Sequence, residues 1–246
     1  TSRAGRLASN QRRVMHLSLN YGPMVTLSQR ATMPRTRSPR REDKMQQPVE
    51  MFFDCSSPWT YLGFEALVAA AREDGFGVCF RPFLVGGVFN TVNPSVYEMR
   101  EKPVVPKARY FAKDMQDWIR RSGLAIRWTP TIFPINSARA MRACLIAADA
   151  SVCEPFARRV FELYWGEDRD IADPGVLAEA CAAAGMDAAE TLAAADAPET
   201  KARLRANTDE SIARGGFGTP TFFVGGTDMY FGQDRVLLVR EAMARG

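Results

Sequence analysis

Between positions 49 and 67 the sequence VEMFFDCSSPWTYLGFEAL passes from an apolar β-type run, through Asp54-Cys55-Ser56-Ser57-Pro58, directly into helical spacing. Ser57 is thereby set on a strand-to-helix turn. Pro58, with its fixed φ, suits the first position of a helix, and a Ser before it suits the N-cap, where first-turn N–H groups point outward unsatisfied. A thiolate or carboxylate docked over such a turn gains from the helix dipole and from a hydroxyl donor. Taken alone, the Ser-Pro pair reads first as a helix cap.

Downstream, the Asp74-Gly75 break leads into residues 77–84, GVCFRPFL, which read as a second strand closed by Gly86-Gly87. Asn93-Pro94 marks a turn in a loop over the first strand's exit. From about Pro106 the period turns helical for roughly a hundred residues. Tyr110, Met115, Trp118 and Ile119 mark one helix face that ends at Gly123, Asn136-Ser137 opens the next helix, and residues 155–165 carry Phe156, Val160, Phe161 and Tyr164 at helical spacing. Asp173-Pro174 caps another. These aromatic stripes read as core. The chain leaves the helical region through Gly215-Gly216-Phe217-Gly218 and reaches Thr219-Pro220-Thr221-Phe222-Phe223-Val224, where Pro220 is either an edge residue or a cis-proline. Gly225-Gly226 predicts a hairpin, and Gly232-Gln233-Asp234 opens a last helix over residues 235–244.

The order βαβ, helices, ββα predicts an α/β fold, a thioredoxin-like sheet interrupted by an all-helical insertion. The expected boundaries are 48–90 with 215–246 for the thioredoxin-like domain and 91–214 for the insertion, behind an Arg-rich disordered tail over residues 1–47. An apolar fraction of 46% is ordinary for a globular chain. The formal charge of +4 misleads, because residues 1–44 hold ten Lys/Arg against two acids and the remainder is left with −4. The basic balance is therefore no argument for nucleic acid. The tail resembles an organelle transit peptide in being rich in Arg and Ser, yet MPRTRSPRR interrupts any long amphipathic helix, and Met45 as a natural first residue accounts for it equally. No run of 18 apolar residues exists, so no membrane partner and a cytoplasmic location are expected, or an organelle if the tail is a transit peptide. Cys55, Cys79, Cys144, Cys153 and Cys181 show no metal-ligand spacing and the single His16 lies in the tail, which disfavours zinc and histidine catalysis. The thiols read as small buried residues, with Cys55, two positions before Ser57, the one to weigh for chemistry.

The pieces FFDCSSPWTYLGFEAL, RPFLVGGVFN, KARYFAKDMQDW, FPINSARAMRA, LYWGED, GGFGTPTFFVGG and YFGQDR resemble, in order, the 2-hydroxychromene-2-carboxylate isomerases and kappa-class glutathione transferases, relatives of the bacterial disulfide oxidases. In that resemblance Ser57 and Thr60 stand where the disulfide oxidases carry their two cysteines, which removes a dithiol cycle at this turn. The resemblance implies glutathione as cofactor, with Ser57 donating to its sulfur and holding it as thiolate. It implies that Thr219, before Pro220, offers main-chain hydrogen bonds to the cysteinyl part, and that Gln233 and Asp234 receive the γ-glutamyl end. Asn93 matches a family Asn across a one-residue gap, and Lys107 matches by its place in KARY. Gln233 departs from the Ser or Asn usual in the family.

Three functions are carried forward. The first is a glutathione-dependent isomerase acting on a chromene carboxylate or another small aromatic-degradation intermediate. The second is a kappa-type transferase or peroxidase that consumes glutathione. The third is a non-catalytic thioredoxin-like binding module, against which the intact turn, Pro220 and Asp234 argue together. YFGQDR and LYWGED lie closer to the isomerase branch, and a homodimer is implied by the resemblance.

Overall fold

A computed structural model describes residues 47–245. The expectations for the tail, including His16 and Met45, fall outside them. Strand β1 (Val49–Phe53) enters helix α1 (Pro58–Asp74), which returns to β2 (Val78–Pro82), and the two strands pair in parallel from Val49↔Val78 to Phe53↔Pro82. A parallel pair needs a crossover of a dozen or more residues, and α1 supplies it. Ser57 holds extended geometry at the N-cap, its side chain accepts from Thr60 N, and Gly75 ends the helix at φ 76°.

Helices α2 (Val85–Val92), α3 (Ser95–Glu101), α4 (Val105–Ser122), α5 (Ala138–Asp149) and α6 (Cys153–Phe161) follow, and α6 continues as a π-helical turn over Glu162–Gly166. Then come α7 (Pro174–Ala183), α8 (Ala188–Asp196) and α9 (Pro198–Ala213). Strands β3 (Thr221–Val224) and β4 (Asp228–Phe231) form the expected antiparallel hairpin, and a 3-10 turn at Gln233–Arg235 leads into α10 (Val236–Arg245). The sheet order is β2-β1-β3-β4. This is the expected mixed α/β thioredoxin-like arrangement with helices between its two halves.

Three expectations are corrected. Residues 77–84 form a shorter strand, and Gly86-Gly87 does not end it but lies inside α2. Gly87 marks a close approach, since a Cβ there would lie 3.1 Å from the Thr208 methyl of α9. Asn93-Pro94 accordingly joins two helices and is not part of an open loop. Tyr110 is also not on a buried face: it stays 65% exposed while Met115 on the same helix is buried.

β1 sorts its side chains by the period of two, which divides the core. Met51 and Phe53 face the large core with α1 and α6, where Phe53, Phe64 and Phe161 meet at centroid distances of 5.3–6.4 Å. Phe52 faces the other side, against Phe83, Phe223, Val85 and Val88. Above that second cluster Glu50, Arg81, Glu210 and Arg214 alternate in charge, with Arg81–Glu50 at 3.1 Å, Arg214–Glu210 at 2.8 Å, and the pairs Arg81–Glu210 and Arg214–Glu50 closing the ring. Arg214 also lies 3.8 Å from the Phe223 ring centroid. The ring pins α9, the last helix before the second half of the sheet, onto β1 and β2.

Candidate active site

The site is built where β1 stops. Ser57 Oγ accepts from Thr60 N at 3.3 Å, and the Ser57 carbonyl accepts from Thr60 N and Tyr61 N. Among the described residues the hydroxyl hydrogen of Ser57 has no acceptor. Beneath it, fully buried Asp54 accepts from Ser56 N and Val85 N, both at 2.9 Å. Burial pushes the Asp54 carboxyl up, opposed by these two N–H donors and the Ser137 hydroxyl. One side chain thus ties the turn to the start of α2 and the start of α5. Cys55 is wholly buried and burial pushes its thiol up, which disfavours it as a nucleophile.

Thr60 Oγ1 and Thr219 Oγ1 lie 2.8 Å apart, one donating to the other, across 159 residues of sequence. The Thr219–Pro220 peptide is cis. Thr219 is 7% exposed, and among the described residues its main-chain N–H and C=O have no hydrogen-bond partner. A nearly buried main-chain pair without partners is a place for an extended peptide to dock. Gly63, one turn into α1, brings the remaining pieces in. A Cβ there would meet Pro220 Cγ at 2.9 Å and Gln233 Cα at 3.3 Å, so the absence of a side chain lets α1, the Pro220 loop and the Gln233 turn close on one another. Gln233 is half-buried at this junction, whereas Asp234 is exposed and pairs with Arg235.

Asn93 and Lys107 stand further out. The Asn93 amide is engaged on both ends: Nδ2 donates to the Phe217 carbonyl at 3.1 Å and Oδ1 accepts from Ser95 Oγ at 2.8 Å. It straps the α2–α3 junction to the segment two residues before Thr219. Lys107 is exposed near the start of α4, one turn before Phe111, whose ring meets Trp59 at 5.6 Å. Ser57, Thr60, Gly63, Thr219, Pro220 and Gln233 are therefore gathered closely, Asp234 and Asn93 border them, and Lys107 lies on α4 with no contact to any of them among the described residues.

The flank of the turn is aromatic, a feature that the spacing of the sequence did not reveal. Trp59, Phe111, Trp128 and Phe133 follow one another at 5.6, 6.2 and 5.4 Å. Behind them Trp165, placed by the π-helical turn, donates from Nε1 to the Cys55 carbonyl at 2.9 Å. The segment carrying Trp128 and Phe133 is fastened to the next one: Tyr164 OH donates to the Ile132 carbonyl at 2.8 Å, and Asp168 accepts from Thr131 N at 2.7 Å, Thr131 Oγ1 at 2.6 Å and Arg127 at 2.6 Å. The Thr131 hydroxyl and N–H, with the Arg127 guanidinium, hold the Asp168 carboxyl at about 2, below the usual 3.8. A carboxyl lowered by folding contributes fully above its unfolded pKa and loses that contribution as pH falls through the folded one. Between pH 4 and pH 2 the wild-type protein should therefore show a change in Trp128 emission that Asp168→Asn lacks. An identical acid titration of the two proteins would show that the latch does not hold this segment.

With this geometry in hand, comparison places the chain among known proteins. It is 26% identical to human glutathione S-transferase kappa 1 over 210 residues, covering 79% of this chain and 90% of that one. It is 25% identical to 2-hydroxychromene-2-carboxylate isomerase of Sphingobium xenophagum over 194 residues, covering 78% and 95%. A solved 2-hydroxychromene-2-carboxylate isomerase superposes with a TM-score of 0.68 at 24% identity, over 81% of this chain and 95% of that one. The cytosolic disulfide reductase DsbM of Pseudomonas aeruginosa, solved with glutathione, shares the fold with a TM-score of 0.56 at 20% identity, over 81% and 96%. The DSBA-like thioredoxin domain profile matches residues 48–244, and the chain belongs to that family.

Proposed function

We propose that this chain is a glutathione-dependent isomerase of the 2-hydroxychromene-2-carboxylate isomerase type. The relatives support an enzyme of glutathione chemistry. The observation that carries the glutathione site is at Ser57, and the lean to the isomerase rests on the YFGQDR and LYWGED stretches. Its oxygen is spent as the cap acceptor while its hydrogen is left over, so one side chain both starts α1 and donates to a sulfur above it. Bound glutathione supplies a thiolate able to add reversibly to an unsaturated carbon, allowing rotation before it leaves. The chain's own residues do the holding. Ser57 and the first-turn dipole of α1 favour the thiolate, Thr219 pairs main chain to main chain with the cysteinyl unit, and the N–H groups of Gln233 and Asp234 receive the γ-glutamyl carboxylate, that of Arg235 being spent on the Gly232 carbonyl. Asp234 takes the ammonium and gives up its pairing with exposed Arg235 to do so. Lys107 reaches the ligand from α4. Asn93, engaged at both ends, acts through the Phe217 segment or turns out to reach the ligand.

A transferase or peroxidase that consumes glutathione would use the same residues, and the kappa-class relatives favour it as the second reading. One assay separates the two: glutathione and protein are incubated with 2-hydroxychromene-2-carboxylate and, in parallel, with 1-chloro-2,4-dinitrobenzene. Turnover of the first without net loss of thiol supports the isomerase, and turnover of the second alone supports the transferase. If neither reacts and glutathione does not bind, the chain is a binding module. Within this reading Asp234→Asn should weaken glutathione about tenfold, the effect of one charge-assisted contact, and Gln233→Ala less. Calorimetry giving the reverse order would show that the γ-glutamyl end is held elsewhere.

A further inference from the structure

The aromatic flank of the Ser57 turn ends on a cation. Arg100, in the last turn of α3, sets its guanidinium carbon 5.9 Å from the centroid of the Phe133 ring. Among the described residues no carboxylate lies within 4.0 Å of it, although Glu98 and Glu101 share its helix. Arg127, the nearest arginine in sequence to Trp128, is already committed to Asp168. Phe133, 37% exposed, meets Trp128 at 5.4 Å and Trp165 at 6.4 Å, and Trp165 in turn holds the Cys55 carbonyl two residues before Ser57. Ring faces and a guanidinium in one surface suit a flat molecule that is apolar over its rings and anionic at its edge. The rings cover the apolar part, and the planar guanidinium matches a carboxylate with two parallel donors. Lying against a ring also leaves Arg100 less freedom to lose when an anion binds.

We infer that Arg100 is the specificity-determining residue of this surface, selecting planar aromatic carboxylates over neutral aromatic compounds of the same shape. The assignment rests on the proposed function in placing the electrophile beside Ser57, and it adds which side chain reads its charge. Arg100 contacts the anionic group, while Phe133 and Trp128, the two rings next to it in the series, contact the rings of the ligand.

Calorimetric titration of the full chain with 2-naphthoate and with its uncharged counterpart 2-naphthamide tests this without turnover. Wild type is expected to bind 2-naphthoate about tenfold or more tightly than the amide, the usual effect of a charge-assisted hydrogen-bonded pair. Arg100→Gln should erase that preference while leaving the affinity for 2-naphthamide and the thermal midpoint unchanged, and Arg100→Lys should retain part of it. The inference is overturned by equal affinities in wild type, by binding of neither probe, by a preference that survives Arg100→Gln, or by equal losses for both probes. Glutathione is left out of these titrations. Its thiolate absorbance near 240 nm, followed separately against pH, reports on Ser57, so a failure of the glutathione reading appears there and not in the choice between the two naphthalenes.

Discussion

Ser57→Gly is expected to lose roughly 10- to 1,000-fold in glutathione-dependent turnover, the range for one positioned donor to a held anion. Its stability should stay close to wild type. Gly serves as an N-cap nearly as well as Ser, whereas Ser57→Ala gives up the cap as well and should cost about 1 kcal/mol. The pair of variants thus separates the two uses of one oxygen: acceptor toward Thr60 N, donor toward sulfur. A difference spectrum of bound glutathione near 240 nm should show its thiolate pKa rising in both variants. Full turnover and an unshifted titration in Ser57→Gly would reduce Ser57 to a cap, even if glutathione still bound.

Gly63→Ala should lose both stability and glutathione affinity although the added carbon touches no ligand. In an unobstructed helix the change gains about 1 kcal/mol. Here the added carbon lands 2.9 Å from Pro220 Cγ and 3.3 Å from Gln233 Cα. The second neighbour is main chain and cannot step aside by changing rotamer, so overpacking costs roughly 1–3 kcal/mol. Relief comes by moving the Pro220 loop or the Gln233 turn away from α1, and both carry the proposed glutathione contacts. Glutathione affinity should therefore fall about tenfold or more, for a displacement of contacts worth about 1.4 kcal/mol. Gly86→Ala in α2 is the control, because nothing lies within 4 Å of its added carbon. Its thermal midpoint should rise slightly and its glutathione affinity hold. Equal behaviour of the two alanine variants would show that the α1–Pro220–Gln233 junction does not position the site.

The elements that could be read from the sequence are those whose cause is local. Ser57-Pro58 starts α1 and Gly75 ends it because cap chemistry and φ preference act within a few residues. Gly225-Gly226 turns β3 into β4, at φ 57° and 78°, for the same reason. The fold class followed from the order of these signals. The misread stretch, LVGGVFN, shows the limit. Two adjacent glycines disfavour a helix locally, yet α2 forms because Val85 and Val88 bury against Phe52, Phe83 and Phe223, and because Gly87 lets α9 approach. Burying two such side chains is worth about 3–6 kcal/mol, more than two helical glycines cost.

For the candidate site, the sequence by itself determined the hydroxyl at a helix start, the proline opening an apolar strand, and the acid at the last turn, since each is a residue type in a local pattern. Only the tertiary structure decided that Thr60 meets Thr219, that Gly63 admits Pro220 and Gln233, and that Asn93 is spent on Phe217. It also decided that a π-helical turn sends Trp165 under Cys55, and that Asp168 and Tyr164 fasten the segment bearing Trp128 and Phe133. The physical reason is the same in each case. These contacts join segments far apart in sequence, so their geometry is set by how the sheet and helices pack, and no periodicity along the chain encodes it.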